Sequence, residues 1–241
     1  MLCIKNPYTD PYFNLAAEEY LLKNFKEDII MVWQNEPSII LGKHQNVRAE
    51  VNLDFVKEKQ IKVVRRYSGG GAVYHDLGNV NLTFIENNST LDFDKFTNLT
   101  ISILASLGIS AQADARRALN IDGLKISGSA QSVHKNRVLY HATLLYSSDL
   151  TILNESLDSK FQAPDDKPSR FYVKSVKSVV TNISEHLSTE ISIENFKQSI
   201  LDYFLENKED NKLYSFDKED LAAIELLKEK KYATAVWNYN D

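Results

Sequence analysis

The sequence predicts an α+β fold, a mixed and largely antiparallel sheet flanked by helices. Three observations carry this expectation. Helical and strand patterns alternate irregularly, without the repeated strand–helix–strand rhythm of a parallel sheet. No internal repeat or low-complexity stretch interrupts the chain. Its 241 residues, 43% hydrophobic and 25% charged, can bury a full core without disulfides. No composition shift marks a boundary inside the chain, so residues 1–241 are read as one domain.

The elements follow in order. Asp10-Pro11 is a helix start, an acidic N-cap with proline at the first helical position. The helix is expected over residues 11–24, with Phe13, Ala16, Ala17, Tyr20 and Leu21 on one stripe. Residues 29–33 and 38–41 are short β-rich runs separated by Asn35-Glu36-Pro37, which reads as a hairpin. A short helix is expected over 53–59. Strands are expected over 62–66 and 81–85, on either side of a glycine loop. Residues 93–107 read as a helix closing at Gly108. Strands follow over 124–127 and 138–146. In the second, Leu139, His141, Thr143 and Leu145 share one face, and Val138, Tyr140, Ala142, Leu144 and Tyr146 the other. Residues 158–169 form a polar loop, and amphipathic helices over 193–207 and 218–231 finish the chain.

Charge and cysteine content narrow the function. There are 28 basic and 33 acidic side chains, a formal net charge of −5. That balance argues against general nucleic-acid binding. No signal-like apolar run opens the chain, and none approaches the roughly 18 apolar residues of a membrane span. The single thiol, Cys3, cannot form an internal disulfide, so a reducing, cytoplasmic setting is expected. The five histidines, His44, His75, His134, His141 and His186, are scattered and show no metal-ligand spacing.

The densest chemical signal is Arg65-Arg66-Tyr67-Ser68-Gly69-Gly70-Gly71-Ala72-Val73-Tyr74-His75-Asp76. Glycines lack Cβ, so their backbone can approach a ligand and turn N–H groups toward a carboxylate or phosphate. A neighbouring arginine adds charge-assisted donors. No Gly-Lys-Ser/Thr follows, so this is not a Walker loop, and it does not open a helix as a dinucleotide motif does. Taken alone, the glycine run equally fits a hairpin turn. The second signal is Asp122-Gly123-Leu124-Lys125-Ile126-Ser127-Gly128-Ser129-Ala130, a lysine among small and apolar residues. Its ammonium could hold a carboxylate and stabilise an α-phosphate during acyl transfer. On this segment alone, an edge-strand lysine reaching solvent fits better. His141 alone fits a satisfied wall residue. Trp33, Tyr67, Tyr74 and Tyr140 are candidates for an apolar slot, and each singly fits an ordinary core position. Lys167, Arg170, Lys174 and Lys177 add positive charge in and after the polar loop.

Together these motifs resemble the lipoate–protein ligase A family. Arg65 to Asp76 and the following Leu77-Gly78-Asn79-Val80-Asn81-Leu82-Thr83-Phe84 carry the resemblance. So do Lys125 to Ala130, His141-Ala142-Thr143-Leu144-Leu145, the opening Asp10 to Glu19, Trp33, and Gly42-Lys43-His44-Gln45-Asn46. The resemblance implies the fold shared by biotin–protein ligases and class II aminoacyl-tRNA synthetases. It implies ATP-dependent activation of lipoic acid to lipoyl-AMP, with Mg2+ arriving on the nucleotide, then transfer to a carrier lysine. By carry-over, Lys125 is catalytic. Trp33, Arg66, Ser68, Gly71, Ala72 and His141 line the acyl slot. Gly70, Gly71, Ala72, Val73, His75, Lys125, Ser127 and Ala130 stand on the nucleotide side, and no metal ligand is implied.

The implied partners are lipoyl carrier domains, of the 2-oxoacid dehydrogenase E2 or glycine-cleavage H type. Lys135, Arg137, Lys174 and Lys177 are the candidate docking cations. The family usually has Gly-Arg-Asn-Asp where Ala115-Arg116-Arg117-Ala118 stands here, and arginines where Lys177 and Val179 stand. Its smaller C-terminal domain is expected to be absent. A separate accessory subunit for adenylation is therefore a second expectation. Two rival readings are a biotin–protein ligase and a non-catalytic lipoyl binder.

Overall fold

The computed structural model describes residues 1–88, 92–158, 173–207 and 209–239. In chain order the strands are β1 (Leu2–Lys5), β2 (Ile29–Trp33), β3 (Ser38–Leu41), β4 (Lys62–Arg65), β5 (Val73–His75), β6 (Asn79–Asn87), β7 (Gln112–Ala113), β8 (Leu119–Ile121), β9 (Leu124–His134), β10 (Arg137–Leu145) and β11 (Lys212–Leu213). The helices are α1 (Pro11–Asn24), α2 (Val47–Glu50), α3 (Leu53–Glu58), α4 (Phe93–Ser106), α5 (Leu150–Ser156), α6 (Ile193–Asn207), α7 (Lys218–Leu227) and α8 (Ala235–Tyr239). A π-helical turn, Lys228–Tyr232, continues α7.

The strands form an eight-stranded sheet, ordered β11-β1-β2-β6-β10-β9-β8-β7, and a three-stranded sheet, β4-β3-β5. β1 is parallel to both its neighbours, whereas β2, β6, β10, β9 and β8 run antiparallel in succession. The expected mixed α+β architecture is therefore present. One face of the large sheet packs Val138, Tyr140, Ala142 and Leu144 against Phe96 and Ile103 of α4 and Phe196 and Ile200 of α6. The other face meets α1, with Leu139, Met31 and Trp33 against Leu15, Ala16 and Leu22. The strand-10 alternation read from sequence thus separates two cores.

Asp10 caps α1 by accepting from Tyr12 N–H at 3.2 Å, with Pro11 at the first position. The helix is buried on nearly all sides, including Glu18 and Glu19, because α7 and the small sheet cover what the large sheet does not. The expected hairpin between residues 29–33 and 38–41 does not form. β2 joins the large sheet and β3 the small one. Both runs are buried throughout, so no polar alternation marked a shared ladder. The link between them is fastened to the start of α1: Asn14 Nδ2 donates to Gln34 O and Asn35 Oδ1, and Glu36 N–H donates to Thr9 O. Nor is the glycine segment a hairpin turn, since β4 and β5 pair with opposite edges of β3 and not with each other. Beyond residue 158, the polar loop, with Lys167 and Arg170, lies outside the described residues.

Candidate active site

Arg66 organises the glycine segment from within. Its Nε donates to Ser68 Oγ (3.0 Å) and Gly69 O (3.1 Å), its Nη2 to Gly69 O (2.6 Å) and Gly71 O (2.8 Å), and its Nη1 to Ile40 O (3.0 Å). Carbonyls are thereby drawn to one cation. The Ala72 N–H points elsewhere and donates to Ser175 Oγ at 2.8 Å. Gly70 adopts φ +91°, and a Cβ there would stand 2.8 Å from Arg66 Nη2. Burial pulls the Arg66 pKa down to about 10, opposed by the charge of Glu18, so the guanidinium stays charged at neutral pH. Arg65 works in the same way, donating to the carbonyls of Gly42 (3.1 Å), Gln45 (2.6 Å), Trp237 (3.0 Å) and Asn238 (3.1 Å). The expectation that these arginines offer donors to a ligand is corrected: the bonds described go to protein carbonyls and to Ser68, because the loop needs its inward oxygens satisfied.

Behind the loop runs a buried polar chain. Trp33 Nε1–H donates to Thr83 Oγ1 (2.8 Å), which donates to Glu18 Oε1 (2.6 Å). Glu18 accepts from His141 Nδ1 (2.9 Å), and His141 Nε2 meets Ser68 Oγ at 2.7 Å, the hydroxyl that accepts from Arg66. A carboxylate only accepts, so His141 Nδ1 must donate and the ring is fixed in the wall.

Lys125 reaches this region through a defect in its strand. One step on β8, Leu119 to Asn120, faces two steps on β9, Ser127 to Lys125. Such a bulge turns the residues on either side of it to a common face. Lys125 and Gly128, three apart, accordingly look into one cleft, and the Lys125 ammonium lies 3.6 Å from where a Gly128 Cβ would stand. The glycine keeps that space open. Burial, and secondly the charge of Arg116, lower the Lys125 pKa, with Asp114 opposing. β9 is an interior strand, so Lys125 is not an edge-strand lysine.

Two cavities meet here. A slot of about 370 Å³ runs among Trp33, Arg66, Gly70, Gly71, Ala72, Val73, His75, Ala130, His141 and Lys125. A wider basin of about 640 Å³ is lined by Ala72, Val73, Tyr74, Ser127, Leu145, Leu153 and, again, Lys125. Lys174, Ser175 and Val176 border both. The slot crosses the sheet from β9 through β10 and β6 to β2, three strand spacings or roughly 14 Å.

Of the residues assigned from sequence to catalysis, the acyl slot or the nucleotide side, all but Ser68 line one cavity or both; Ser68 sits behind the wall, bonded to His141. His75 belongs to the slot beside Trp33, at 6.0 Å between ring centroids, and does not border the basin. Gly70 and Ala130 likewise line the slot alone. Tyr140 faces the opposite core, and Tyr67 lies under the ammonium groups of Lys23, Lys43 and Lys231. Arg137 is buried and donates to Asn87 Oδ1 and Glu27 O, which removes it as a docking cation. Lys177 pairs with Asp158 at 2.8 Å. Arg116 and Ala118 border the slot, while Arg117, at φ +63°, turns to Asp94 at 2.5 Å. The left-handed backbone at Arg117 is one that asparagine tolerates well, a physical reason for the residue usual there.

Sequence reasoning missed Glu18, Thr83, Asn81 and Ser175. Glu18 did leave a signal, an acid three residues after Leu15 and four before Leu22 on an apolar helix side.

Residues 10–205 match the family described as lipoyl protein ligase A/B catalytic domain. Among curated proteins, the chain is 42% identical to lipoate–protein ligase 1 of Staphylococcus aureus, covering 97% of this chain and 71% of that protein. It is 38% identical to the lipoate-protein ligase LplJ of Bacillus subtilis, over 99% and 73%. Among solved structures, a bi-partite lipoate protein ligase from Thermoplasma acidophilum, studied with its E2 lipoyl domain, superposes with a TM-score of 0.82. The two are 26% identical, over 99% of this chain and 95% of that one.

Proposed function

Because the chain belongs to the lipoyl protein ligase A/B catalytic-domain family and is an enzyme of lipoate ligation, we propose that its two cavities divide the reaction between them. The slot takes the acyl chain of lipoate. The basin takes the adenosine and phosphate of ATP. Lys125, on the wall of both, holds the carboxylate first and the α-phosphate afterwards. The observation that carries this reading is the convergence of one half-buried ammonium with the Ala72–Val73 backbone where the cavities join.

The chemistry follows from placement. A carboxylate oxygen bonds to the α-phosphorus and pyrophosphate leaves. The amine of a carrier lysine then bonds to the acyl carbon, and AMP departs with the electrons of the C–O bond. Both steps gather negative charge beside Lys125, where a low-dielectric wall strengthens a fixed cation. Holding acid and nucleotide end to end supplies the proximity term. The Ala72 N–H, now given to Ser175 Oγ, becomes a ligand donor if Ser175 yields.

Magnesium would arrive with the nucleotide. The acids bordering the basin do not fit a dedicated site: Glu50 accepts from Ser175 N–H (3.1 Å) and Asp158 is paired with Lys177. Among the described residues no group of three histidine, cysteine or acidic side chains could hold a metal, and no step is routed through one. The proposed partner is a lipoyl carrier domain, as named for the Thermoplasma relative, and the proposed setting is cytoplasmic. Among the described residues no helix is long and apolar enough to cross a membrane.

The test supplies the purified chain with ATP, lipoate and an apo lipoyl domain, and weighs the carrier. Lipoylated carrier is expected, and Lys125→Ala is expected to lose it. Product from preformed lipoyl-AMP but none from lipoate and ATP would instead mean a transferase that depends on a separate adenylating subunit. The bi-partite relative favours that second reading. No product from either would overturn the proposal.

A further inference from the structure

Three ammonium groups crowd one aromatic ring outside the two cavities. Lys23 in the last turn of α1, Lys43 in the turn after β3, and Lys231 in the π-helical turn stand 5.1, 5.3 and 5.1 Å from the centroid of Tyr67. No two of them are therefore more than about 10 Å apart, a Debye length near 0.1 M salt. One carboxylate answers them. The buried Glu19 takes Lys23 on Oε1 and Lys231 on Oε2, each at 2.6 Å, and accepts from Tyr232 Oη at 2.5 Å. Both its oxygens are engaged, and the exposed Lys43 pairs with no acid among the described residues. The rings keep the cations in place, since Lys231 also lies 3.9 Å over Trp237. Burial lowers the Lys231 pKa, Glu19 opposes this, and the charges of Lys23 and Lys43 lower it further. The cluster thus holds more positive charge than it can answer, and the excess is relieved by carboxylates from outside.

The cluster flanks the slot. Tyr67 opens the glycine segment, and Lys43 N–H donates to Ser68 O at 2.8 Å. The exposed Gly70 lines the slot, and a Cβ on Gly69 would meet nothing within 4 Å. Neither Tyr67 nor any of the three lysines lines the slot or the basin. Cations spread over a surface in this way suit carboxylates fixed on a second protein better than one small anion. Tyr67 is five residues from Ala72, so roughly 17 Å is the furthest it can stand from the cavity junction. An interface of about 800 Å² per partner is roughly 30 Å across. A protein that brings an amine to Lys125 is therefore wide enough to seat carboxylates on the cluster. Of the cations expected to dock a carrier, Arg137 is buried and Lys177 is paired with Asp158. We propose that Lys23, Lys43 and Lys231 around Tyr67 form the surface on which the carrier docks, and that they select a carrier with carboxylates clustered near its acceptor lysine. The inference rests on the reading that the chain acylates a carrier domain. It adds where that domain sits.

The experiment measures transfer from preformed lipoyl-AMP to an apo lipoyl domain of acidic surface, so adenylation does not enter the readout. Lys43→Glu should lower kcat/KM for the carrier about tenfold or more at low salt, and the gap should close to about twofold near 0.5 M NaCl. Lys43→Gln should lower it less, in the same direction, and serves if Lys43→Glu does not fold. Calorimetric affinity for lipoyl-AMP should stay unchanged in both. Lys59→Glu makes the same change of net charge on an exposed residue before β4, whereas Tyr67 follows that strand; it should stay within about twofold of the parent. A carrier kcat/KM unmoved by either Lys43 variant, or an equal loss in Lys59→Glu, would overturn the proposal. So would a loss undiminished at high salt, because a disturbed loop and not charge would then be its cause. Absence of transfer by the parent chain would instead overturn the reading beneath it.

Discussion

Glu18→Gln tests whether the polar chain behind the loop is what fixes the slot wall. The carboxylate accepts from Thr83 Oγ1 at 2.6 Å and from His141 Nδ1 at 2.9 Å, and is buried. A hydrogen bond to a charged acceptor contributes about 1.5–3 kcal/mol, against roughly 1 kcal/mol for a neutral one. Glutamine keeps one acceptor oxygen and places an NH2 group where the other stood. Both bonds end on Oε1, with Oε2 also 3.1 Å from His141 Nδ1, so an amide oxygen at the Oε1 position keeps both at neutral strength while its NH2 is set against the donating Nδ1. Arg66, wholly buried, also loses the charge that opposes its desolvation. The expected loss is about 2–4 kcal/mol, which in a chain of this size lowers Tm by roughly 5–15 °C. His141 can relieve the clash by moving its proton from Nδ1 to Nε2 and turning the Ser68 hydroxyl. Thermal unfolding and the imidazole nitrogen shifts in NMR read the two effects separately. A Tm change under about 2 °C with the proton still on Nδ1 would refute the argument that Glu18 sets the ring.

Two further outcomes follow from the same geometry. A Gly42→Ala Cβ would stand 2.0 Å from Gly70 O, a backbone atom held by Arg66's loop, whereas a Gly69→Ala Cβ meets nothing within 4 Å; adenylation should drop at least about tenfold in the first and stay unchanged in the second, with the first also destabilised by about 1–3 kcal/mol in denaturant titration. Burial and Arg116 hold the Lys125 pKa below its ordinary value of 10.5; lipoate affinity by calorimetry should therefore fall as pH rises through that lowered value, and Lys125→Met should bind weakly without this pH dependence. The stability effect has the opposite sign: the unfolded lysine holds its proton longer, so the buried-charge penalty is relieved as pH rises between the folded pKa and 10.5.

How much of this could be read from sequence depended on element length. α1 announced itself through Asp10-Pro11, and α4 through the stop at Gly108, which sits at φ +78°. β10 showed nine residues of alternation, enough to separate its faces. β1 and β5, of four and three residues, and the two-residue β7 and β11 offer too few positions for a period to emerge. β9 was read only to Ser127, since Ser129, Gln131, Ser132 and His134 lack the β-branched and apolar character that marks a strand. Glycine segment, Lys125 and His141 were legible because their residue types are chemically unusual for their surroundings. Glu18, Thr83 and Ser175 were not. Each is tied to the site through partners between 50 and 130 residues away along the chain.

The irregularity in β9 ties the two halves of this account together. A regular strand would send Lys125 and Gly128 to opposite faces, and Lys125 would enter the core that holds Ile126, Leu144 and Phe196. A buried ammonium among those side chains would have no counter-charge, so a regular register is disfavoured by the lysine itself. The extra residue moves the charge to the cleft face, where Asp114 offsets part of its burial and Gly128 leaves it room. Backbone pairing from Val180 holds this arrangement, with Lys125 N–H on Val179 O (2.9 Å) and Thr181 N–H on Lys125 O (3.1 Å). The segment that fastens Lys125 is thus continuous with Ser175, which occupies the Ala72 N–H. Movement of Ser175 to admit a ligand would then be transmitted within five residues to the backbone that aims the ammonium.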